Sequence, residues 1–419
     1  MRGTMKVTIF DLRETNSLDT AIEEIMKAFK ERYKNITFES YNAEETELKN
    51  CIGCWSCWWK TPGKCALPDT VAKRYQDYMS SDEVVLLFDT RQGFISAKGK
   101  TFLDRMIQLF LPYIHMRNGE SGHIKRYEKY PVMNFYLEKD GLKEKEIAVI
   151  KNYLARTAYH FQSDGREMVY DADILKFCDL NTEPPTKDDM NSLLTERTPT
   201  GKWVIYNGSP RGVQSNSRLL IEQITLGMHE KGISNIEVRD LYQLNHHKAW
   251  ADDFTSNENN LFVFPLYVHA MPGLVMKFFE QLKPADQKEV HIAYFIQSGF
   301  PETSQSYYLK PYLELLTDRL GAKFDGILIK GGVEGIQMKP EKTNQKLFDQ
   351  MKQLGVTYAQ KGIMDIALIS EYKKEEQLSK FVQILFTILR PTGLPNFYWD
   401  YNLKKNGAFK MRFAKPYIE

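Results

Sequence analysis

Four of the chain's five cysteines fall in one stretch, CIGCWSCWWKTPGKC, from Cys51 to Cys65. The spacing C-x2-C-x2-C-x7-C makes Cys51, Cys54, Cys57 and Cys65 a candidate ligand set for a disulfide staple, a zinc ion or an iron–sulfur cluster. Structural zinc sites draw on two knuckles far apart, so that the ligands converge from two sides. Three cysteines at successive two-residue gaps instead curl into one loop that can grip a face of a cubane. A fourth then arrives from nearby, the ferredoxin-like arrangement for [4Fe–4S]. Gly53 and Gly63 permit the curl, Pro62 stiffens the return, and Trp55, Trp58 and Trp59 would exclude water. Free thiols in an apolar loop remain the alternative. Cys178 stands alone and reads as a small buried hydrophobe.

A second stretch, NGSPRGVQSNS, lies between an apolar strand pattern and a helical one. Gly208 and Gly212 permit a tight turn. Ser209, Ser215, Asn216 and Ser217 offer hydroxyl and amide donors, and Arg211 brings a positive charge. The helix that follows points its positive dipole end at this loop, which together make an anion site suited to a phosphate monoester. A plain helix cap would need only one such residue. The loop is neither GxGxxG nor a P-loop.

The run GSPRGVQSNS, then PLYVHAMPGLVMKFFEQL, then QSGFPE, resembles the three ligand loops of the NAD(P)H-dependent FMN reductase family, which has the flavodoxin-like fold. The similarity covers Lys202 to about Gly335. It implies that Ser209, Arg211, Ser215, Asn216 and Ser217 hold the FMN phosphate. Pro265, Leu266, Tyr267, Met271 and Gly273 would border the isoalloxazine ring, and Ser298, Gly299 and Phe300 would close its other edge. Tyr267 and Phe300 can pack on a flat ring, and loop amides can bond its polar rim. No acid–base pair is assigned as catalytic, and His269 is read as an ordinary polar residue. The cysteine stretch resembles the compact motif of the iron–sulfur flavoproteins, whose four matching cysteines carry a [4Fe–4S] cluster that passes electrons to FMN. In those proteins motif and phosphate loop share one domain; here they lie in different halves of the chain.

The elements that must position these loops recur twice. KVTIFDL and LDTAIEEIMKAFKERY near the start parallel KWVIYNGSPR and NSRLLIEQITLGMHEKG near the middle. Later strands pair off as DEVVLLFDT with NNLFVFPLYV and VMNFYLEKD with VHIAYFIQSG. Apolar strands alternating with amphipathic helices predict an α/β chain with parallel sheets covered on both faces. Combined with the resemblance, the expectation is two tandem flavodoxin-like domains, each a doubly wound five-stranded sheet. Domain boundaries are expected at 1–164, with a polar linker over 165–200, the FMN-binding domain over 201–362 and a helical, aromatic tail over 363–419. In the first half the phosphate-loop position reads DLRETNSLDT. It has no glycine, keeps Arg13, Asn16 and Ser17, and sets Glu14 where a phosphate would be repelled. A pseudo-dimer with divided labour is therefore expected, existing as a monomer or a homodimer.

The bulk numbers exclude little else. Net charge is +2 with 26% charged residues, which gives no electrostatic case for a nucleic-acid or membrane partner. FVQILFTILR is too short to span a bilayer. MRGTMKVTIFDL carries no signal-peptide pattern, so a cytoplasmic location is expected. GxSxG and HExxH are absent, and NHHKAW reads as an exposed loop. The resemblance thus implies an FMN-dependent oxidoreductase moving electrons between NAD(P)H or a ferredoxin-like donor and a small-molecule or protein acceptor. A cluster-free quinone or FMN reductase and a non-enzymatic flavin carrier or redox sensor are the alternatives.

Overall fold

The computed structural model describes residues 4–14, 20–42, 48–171, 174–182, 194–285, 289–372, 378–389 and 396–418. Asn16 and Ser17 lie outside the described residues. The chain divides into two units. One joins Met1–Glu183 with Phe381–Glu419, and the other is Pro184–Lys380.

The first unit runs β1 (Met5–Asp11), α1 (Thr20–Arg32), β2 (Ile36–Tyr41), α2 (Ser56–Trp59), α3 (Val71–Met79) and β3 (Glu83–Phe88). A small hairpin, β4 (Thr90–Arg91) with β5 (Phe94–Ile95), precedes α4 (Ala97–Arg105). Then come β6 (Phe110–Arg117), β7 (Glu120–Lys125), β8 (Val132–Leu137), α5 (Glu144–His160), β9 (Gly165–Asp171) and β10 (Ile174–Asp179). The main sheet has the order β10-β9-β8-β3-β1-β2. All neighbours in it are parallel except β10, which runs antiparallel to β9. β3, EVVLLF, is buried at every position, as a central parallel strand covered on both faces must be. α1 turns Ile25, Ala28 and Phe29 onto Val7, Ile9, Val85 and Leu87.

The second unit runs β11 (Trp203–Asn207), α6 (Asn216–Glu230), β12 (Ile236–Asp240), α7 (His247–Asp253), β13 (Asn259–Pro265) and α8 (Gly273–Phe279). It continues with β14 (His291–Gln297), α9 (Lys310–Arg319), β15 (Lys323–Lys330), α10 (Glu341–Lys361) and α11 (Ile366–Tyr372). Its sheet is β12-β11-β13-β14-β15, parallel throughout. In both units the parallel strands follow the order 2-1-3-4-5, the flavodoxin-like arrangement, with its switch point between the first and third strands. Both units are thus flavodoxin-like α/β folds in tandem.

α6 and α10 meet backbone to backbone. A Cβ on Gly227 would stand 1.9 Å from Lys352 O, and one on Gly355 would stand 2.0 Å from Ile224 O. Valine at Gly227 must push the helices apart, at a cost of about 3 kcal/mol. Gly227→Val is therefore expected to lower the urea midpoint of the second unit, read from the buried Trp203, and an unchanged midpoint would show that the contact is dispensable.

Three expectations need correction. Residues 165–179 are not linker: β9 and β10 extend the first sheet, making it six-stranded. Met168 and Leu175 bury against the sheet core among polar or partly exposed neighbours, so the segment looks polar in sequence. The tail is divided between the units. α11 stays with the second, while α12 (Lys380–Leu389) reaches the first at Phe381, and α13 (Phe397–Lys405) packs there against α2. Cys178 is exposed on the edge strand β10, not buried. Among the described residues no helix is long and apolar enough to cross a membrane.

Candidate functional sites

In the second unit the loop after β11 leads into α6 at the switch point. Asn207 organises it: its Nδ2 donates to Gly212 O (3.0 Å) and to Asp240 Oδ1 (2.8 Å), and its Oδ1 accepts from Ser209 N (3.1 Å). Gly208 passes so close to the next strand that a Cβ would stand 2.8 Å from Phe264 Cβ and 2.7 Å from Val275 Cγ2. Gly212 has φ +57°, and a Cβ there would meet the Tyr242 ring at 2.4 Å. Ser215 caps α6, its Oγ accepting from Arg218 N at 3.1 Å. That leaves the Asn216 and Ser217 amides, at the first turn, without intrahelical acceptors. Ser209, Ser215, Asn216 and Ser217 are all nearly fully buried. Asn216 Oδ1 has no hydrogen-bond partner, while its Nδ2 holds Val333 O and Glu334 O. A glycine-lined cradle of buried neutral donors at a helix N-terminus fits a phosphate monoester.

Arg211 departs from its expected part. Its Nη2 donates to both Glu334 carboxylate oxygens at 2.8 Å, so its charge is already partnered. Glu334 arrives from the loop after β15 and carries no local sequence signal linking it to Arg211.

The loops after β13 and β14 flank this nest. Leu266 N donates to Gln297 O at 2.8 Å, joining the two strand ends. Tyr267 and Ala270 exchange backbone bonds at 2.9 and 3.0 Å around Val268 and His269, both left-handed at φ 42° and 56°. Positive φ at a β-branched valine is strained, and such strain concentrates at functional loops. His269 is buried with Nδ1 against Gln305 O at 3.1 Å, so it serves the turn. Pro265 and Met271 are core, and Gly273 starts α8. Tyr267 and Phe300 are half-buried, and Gly299 is exposed. Ser298 Oγ donates to Phe300 O at 2.9 Å, and Ser217 Oγ accepts from Gln297 Nε2 at 3.4 Å. Of the two NHHKAW histidines, His246 is exposed as expected and stacks on Trp250, whereas His247 is buried, with Nε2 2.7 Å from Leu241 O.

In the first unit the chain just past β1 carries an arginine bound to carboxylates. Arg13 donates from Nε to Asp11 Oδ1 at 2.7 Å, from Nη2 to Asp11 Oδ2 at 2.6 Å and from Nη1 to Glu138 Oε1 at 2.7 Å. Glu14 N donates to Asp89 Oδ2 at 3.2 Å. Asp11 and Glu138 thus hold Arg13 just past the end of β1.

The cysteine loop lies between β2 and α3. Gly53 (φ 62°), Trp55 (φ 57°) and Gly63 (φ 84°) give it the curl. Cys57 is buried, and Cys51, Cys54 and Cys65 are partly exposed. Burial pushes the Cys51 thiol up to about 12, against a hydrogen bond from Gly53 N–H that favours the thiolate. Burial, then the charges of Cys51, Cys65 and Cys54, hold the Cys57 thiol well above its usual range, and Arg126 opposes this. Among the described residues, no three His, Cys, Asp or Glu groups are placed to hold a single metal ion.

A wall of aromatics backs the loop. Trp58 is fully buried, donating from Nε1 to Ile107 O and Phe110 O, both at 3.1 Å. Trp55 stacks on it at 4.5 Å, and Trp399 meets it edge-on at 5.1 Å. The chain's last segment closes over the loop. A Cβ on Gly63 would strike Pro416 at 2.8 Å, and Gln108 Oε1 accepts from both Cys65 N (2.8 Å) and Tyr417 Oη (2.6 Å). Sequence reasoning found the cysteines but missed Gln108, Trp399 and Tyr417.

Half-buried His123, 4.5 Å from the Trp58 ring, and half-buried His160 give this unit an acid weakness. Burial pushes His123 down to about 4 and His160 down to about 3. Unfolded, both titrate near 6.5. Between those values the unfolded chain binds protons that the folded unit refuses, so stability is full above about 6.5 and falls as pH drops. Between pH 7 and pH 5 the first unit should lose about 3 kcal/mol. Urea midpoints followed by tryptophan fluorescence test this, and a flat profile refutes it.

No family model matches the chain, and no curated protein matches it. Among solved structures it is similar to an azoreductase from Bacillus anthracis str. Sterne, at 15% identity and a TM-score of 0.31, over 38% of this chain and 100% of that one. An FMN-dependent NADH-azoreductase from Bacillus anthracis str. Ames Ancestor, in complex with FMN, gives 14% identity and a TM-score of 0.31 over 38% and 100%. An NAD(P)H:quinone oxidoreductase from Methanothermobacter marburgensis gives 18% and 0.29 over 37% and 94%. The fold class stands on strand order: two tandem flavodoxin-like units, with a donor-lined nest at the switch point of the second.

Proposed function

We propose that the chain is an FMN-dependent oxidoreductase moving electrons between NAD(P)H or a protein donor and a small-molecule or protein acceptor. The observation that carries this is the nest of buried neutral donors at the N-terminus of α6, on the switch point where this topology takes its ligands. Ser209 Oγ and the Asn216 and Ser217 amides would hold the phosphate, with the helix dipole supplying the attraction that Arg211, tied to Glu334, does not. Tyr267 and Phe300 would pack on the ring, and the strained Val268–His269 turn would fix the loop along its edge. FMN bound there would supply two-electron acceptance with release singly or in pairs.

In the first unit, the four thiols on one curled loop have the donor chemistry of a [4Fe–4S] ligand set. The Gly53 N–H bond to Cys51 is of the kind that stabilises ligating sulfur, and the tryptophans keep water back. The Arg13 carboxylate network argues that this unit binds no flavin phosphate of its own.

Anaerobic purification with an absorption spectrum and flavin, iron and sulfide analysis tests the reading. One FMN per chain with iron and sulfide supports it in full. FMN without iron leaves a cluster-free reductase or a flavin carrier, which NAD(P)H oxidation with an added quinone separates. A colourless protein that takes up no FMN overturns it.

A further inference from the structure

The helix α12, KFVQILFTIL, is apolar on nearly every side, yet none of its residues is fully buried. Gln383, Phe386 and Leu389 share one side. The Gln383 side chain lies over the β6–β7 turn, where a Cβ on Gly119 would stand 3.9 Å from its amide atoms, and Phe386 and Leu389 are half-buried. The opposite side is a stripe of Phe381, Ile384, Leu385 and Ile388, which are 73%, 59%, 41% and 65% exposed. The spacing i, i+3, i+4, i+7 is that of a face built to be covered, and a helix apolar all round is a buried one. α13 repeats the pattern: Phe397 and Tyr401, one turn apart with ring centres at 6.2 Å, are 67% and 54% exposed. Among the described residues, ten of the eighteen exposed large hydrophobics lie in 381–418, so the exposure is concentrated rather than scattered.

We infer that this stripe docks a second copy of the chain, α12 packing antiparallel on α12 about a twofold axis. A twofold sets a surface against itself, so the occupant must offer an apolar helical stripe of the same spacing, which α12 does. The charges fit as well. Lys380 is the one charged residue of α12 and stands at its start, so in an antiparallel pair it lies beside the C-terminal end of the other helix, where the dipole is negative. The area is of the right size: at about 200 Å² for a large side chain, the six exposed residues offer roughly 700 Å², against about 800 Å² per partner in a standard interface. A membrane-surface helix carries Lys and Arg along its polar face, whereas the polar residues of α12 beyond Lys380 are the uncharged Gln383 and Thr387. The pairing uses a helix outside both sheets and stands apart from the flavin and cysteine readings.

Sedimentation equilibrium of the full chain is expected to give twice the 48.9 kDa chain mass at high concentration, falling toward the monomer on dilution. Ile384→Glu sets two carboxylates against each other at the seam and should weaken the dimer about a hundredfold. Ile384→Lys should do the same with two cations. Mixed together, the two variants should pair again, because Glu then faces Lys. Ile174→Glu, at a 58% exposed position on the edge strand β10, should leave the mass unchanged. Ile384 is exposed in the single chain, so its variants should keep the wild-type near-UV spectrum. If either fails to fold, Ile384→Ala decides, with an expected loss of about tenfold in dimer affinity. A chain that is monomeric at every concentration, a dimer untouched by Ile384→Glu, or a mixture that stays monomeric overturns the inference. So does a monomeric chain that binds phosphatidylserine–phosphatidylcholine vesicles and loses that binding in Ile384→Glu, which would give the stripe to a membrane surface.

Discussion

Ser209→Asp is expected to weaken FMN binding by two to three orders of magnitude. Ser209 is buried at the mouth of the nest, where its Oγ already accepts from Arg211 N at 3.4 Å. A carboxylate can keep that bond, so the loop should survive. What changes is the charge beside the phosphate. Two unit charges about 4 Å apart repel by about 4 kcal/mol at an effective dielectric near 20, and each 1.4 kcal/mol is tenfold in affinity. Glu334→Gln should act in the opposite direction. It releases Arg211 from its two 2.8 Å bonds and removes a carboxylate from the rim, for a gain of about tenfold. Quenching of flavin fluorescence on titration of FMN into apo-protein measures both. If neither variant changes affinity, the phosphate is not held here.

The second large effect concerns Cys57. Cys57→Ser replaces a buried sulfur by a smaller oxygen and leaves the aromatic wall in place, so the first unit should keep its near-UV spectrum. Iron and sulfide should nevertheless fall from about four of each per chain to below one, because thiolate is the ligand that retains the cluster. Cys178→Ser, on the exposed edge strand, should change neither. Equal iron in wild type and Cys57→Ser, or none in either, ends the case for a cluster.

How much of this could be read from the sequence follows from which contacts are local. β11, β13 and β14 are buried at every residue, and their apolar centres WVIY, LFVF and IAYFI declare a parallel sheet. The nest was legible because its turn, hydroxyls and helix cap are contiguous from Gly208 to Ser217. β9 and β10 were not, because their few apolar core positions are broken up by polar and exposed ones, with β10 at the sheet edge, and the pattern imitates a polar linker. Arg211 and Glu334 are 123 residues apart, so no local pattern pairs them. The closure of the cysteine loop by Trp399, Pro416 and Tyr417 joins opposite ends of the sequence, and aromatic content alone cannot say what an aromatic tail covers.

That closure bears on biosynthesis. The first unit is discontinuous: 184–380 separate the cysteine loop's own sheet from the segment that seals it. At ~5–20 residues per second, translation of that insert takes roughly 10–40 s. During this interval the nascent cysteines face solvent without Trp399, Pro416 or Tyr417 over them. The order of synthesis therefore leaves a timed interval in which these thiols are open to oxidation or modification before Trp399, Pro416 and Tyr417 emerge.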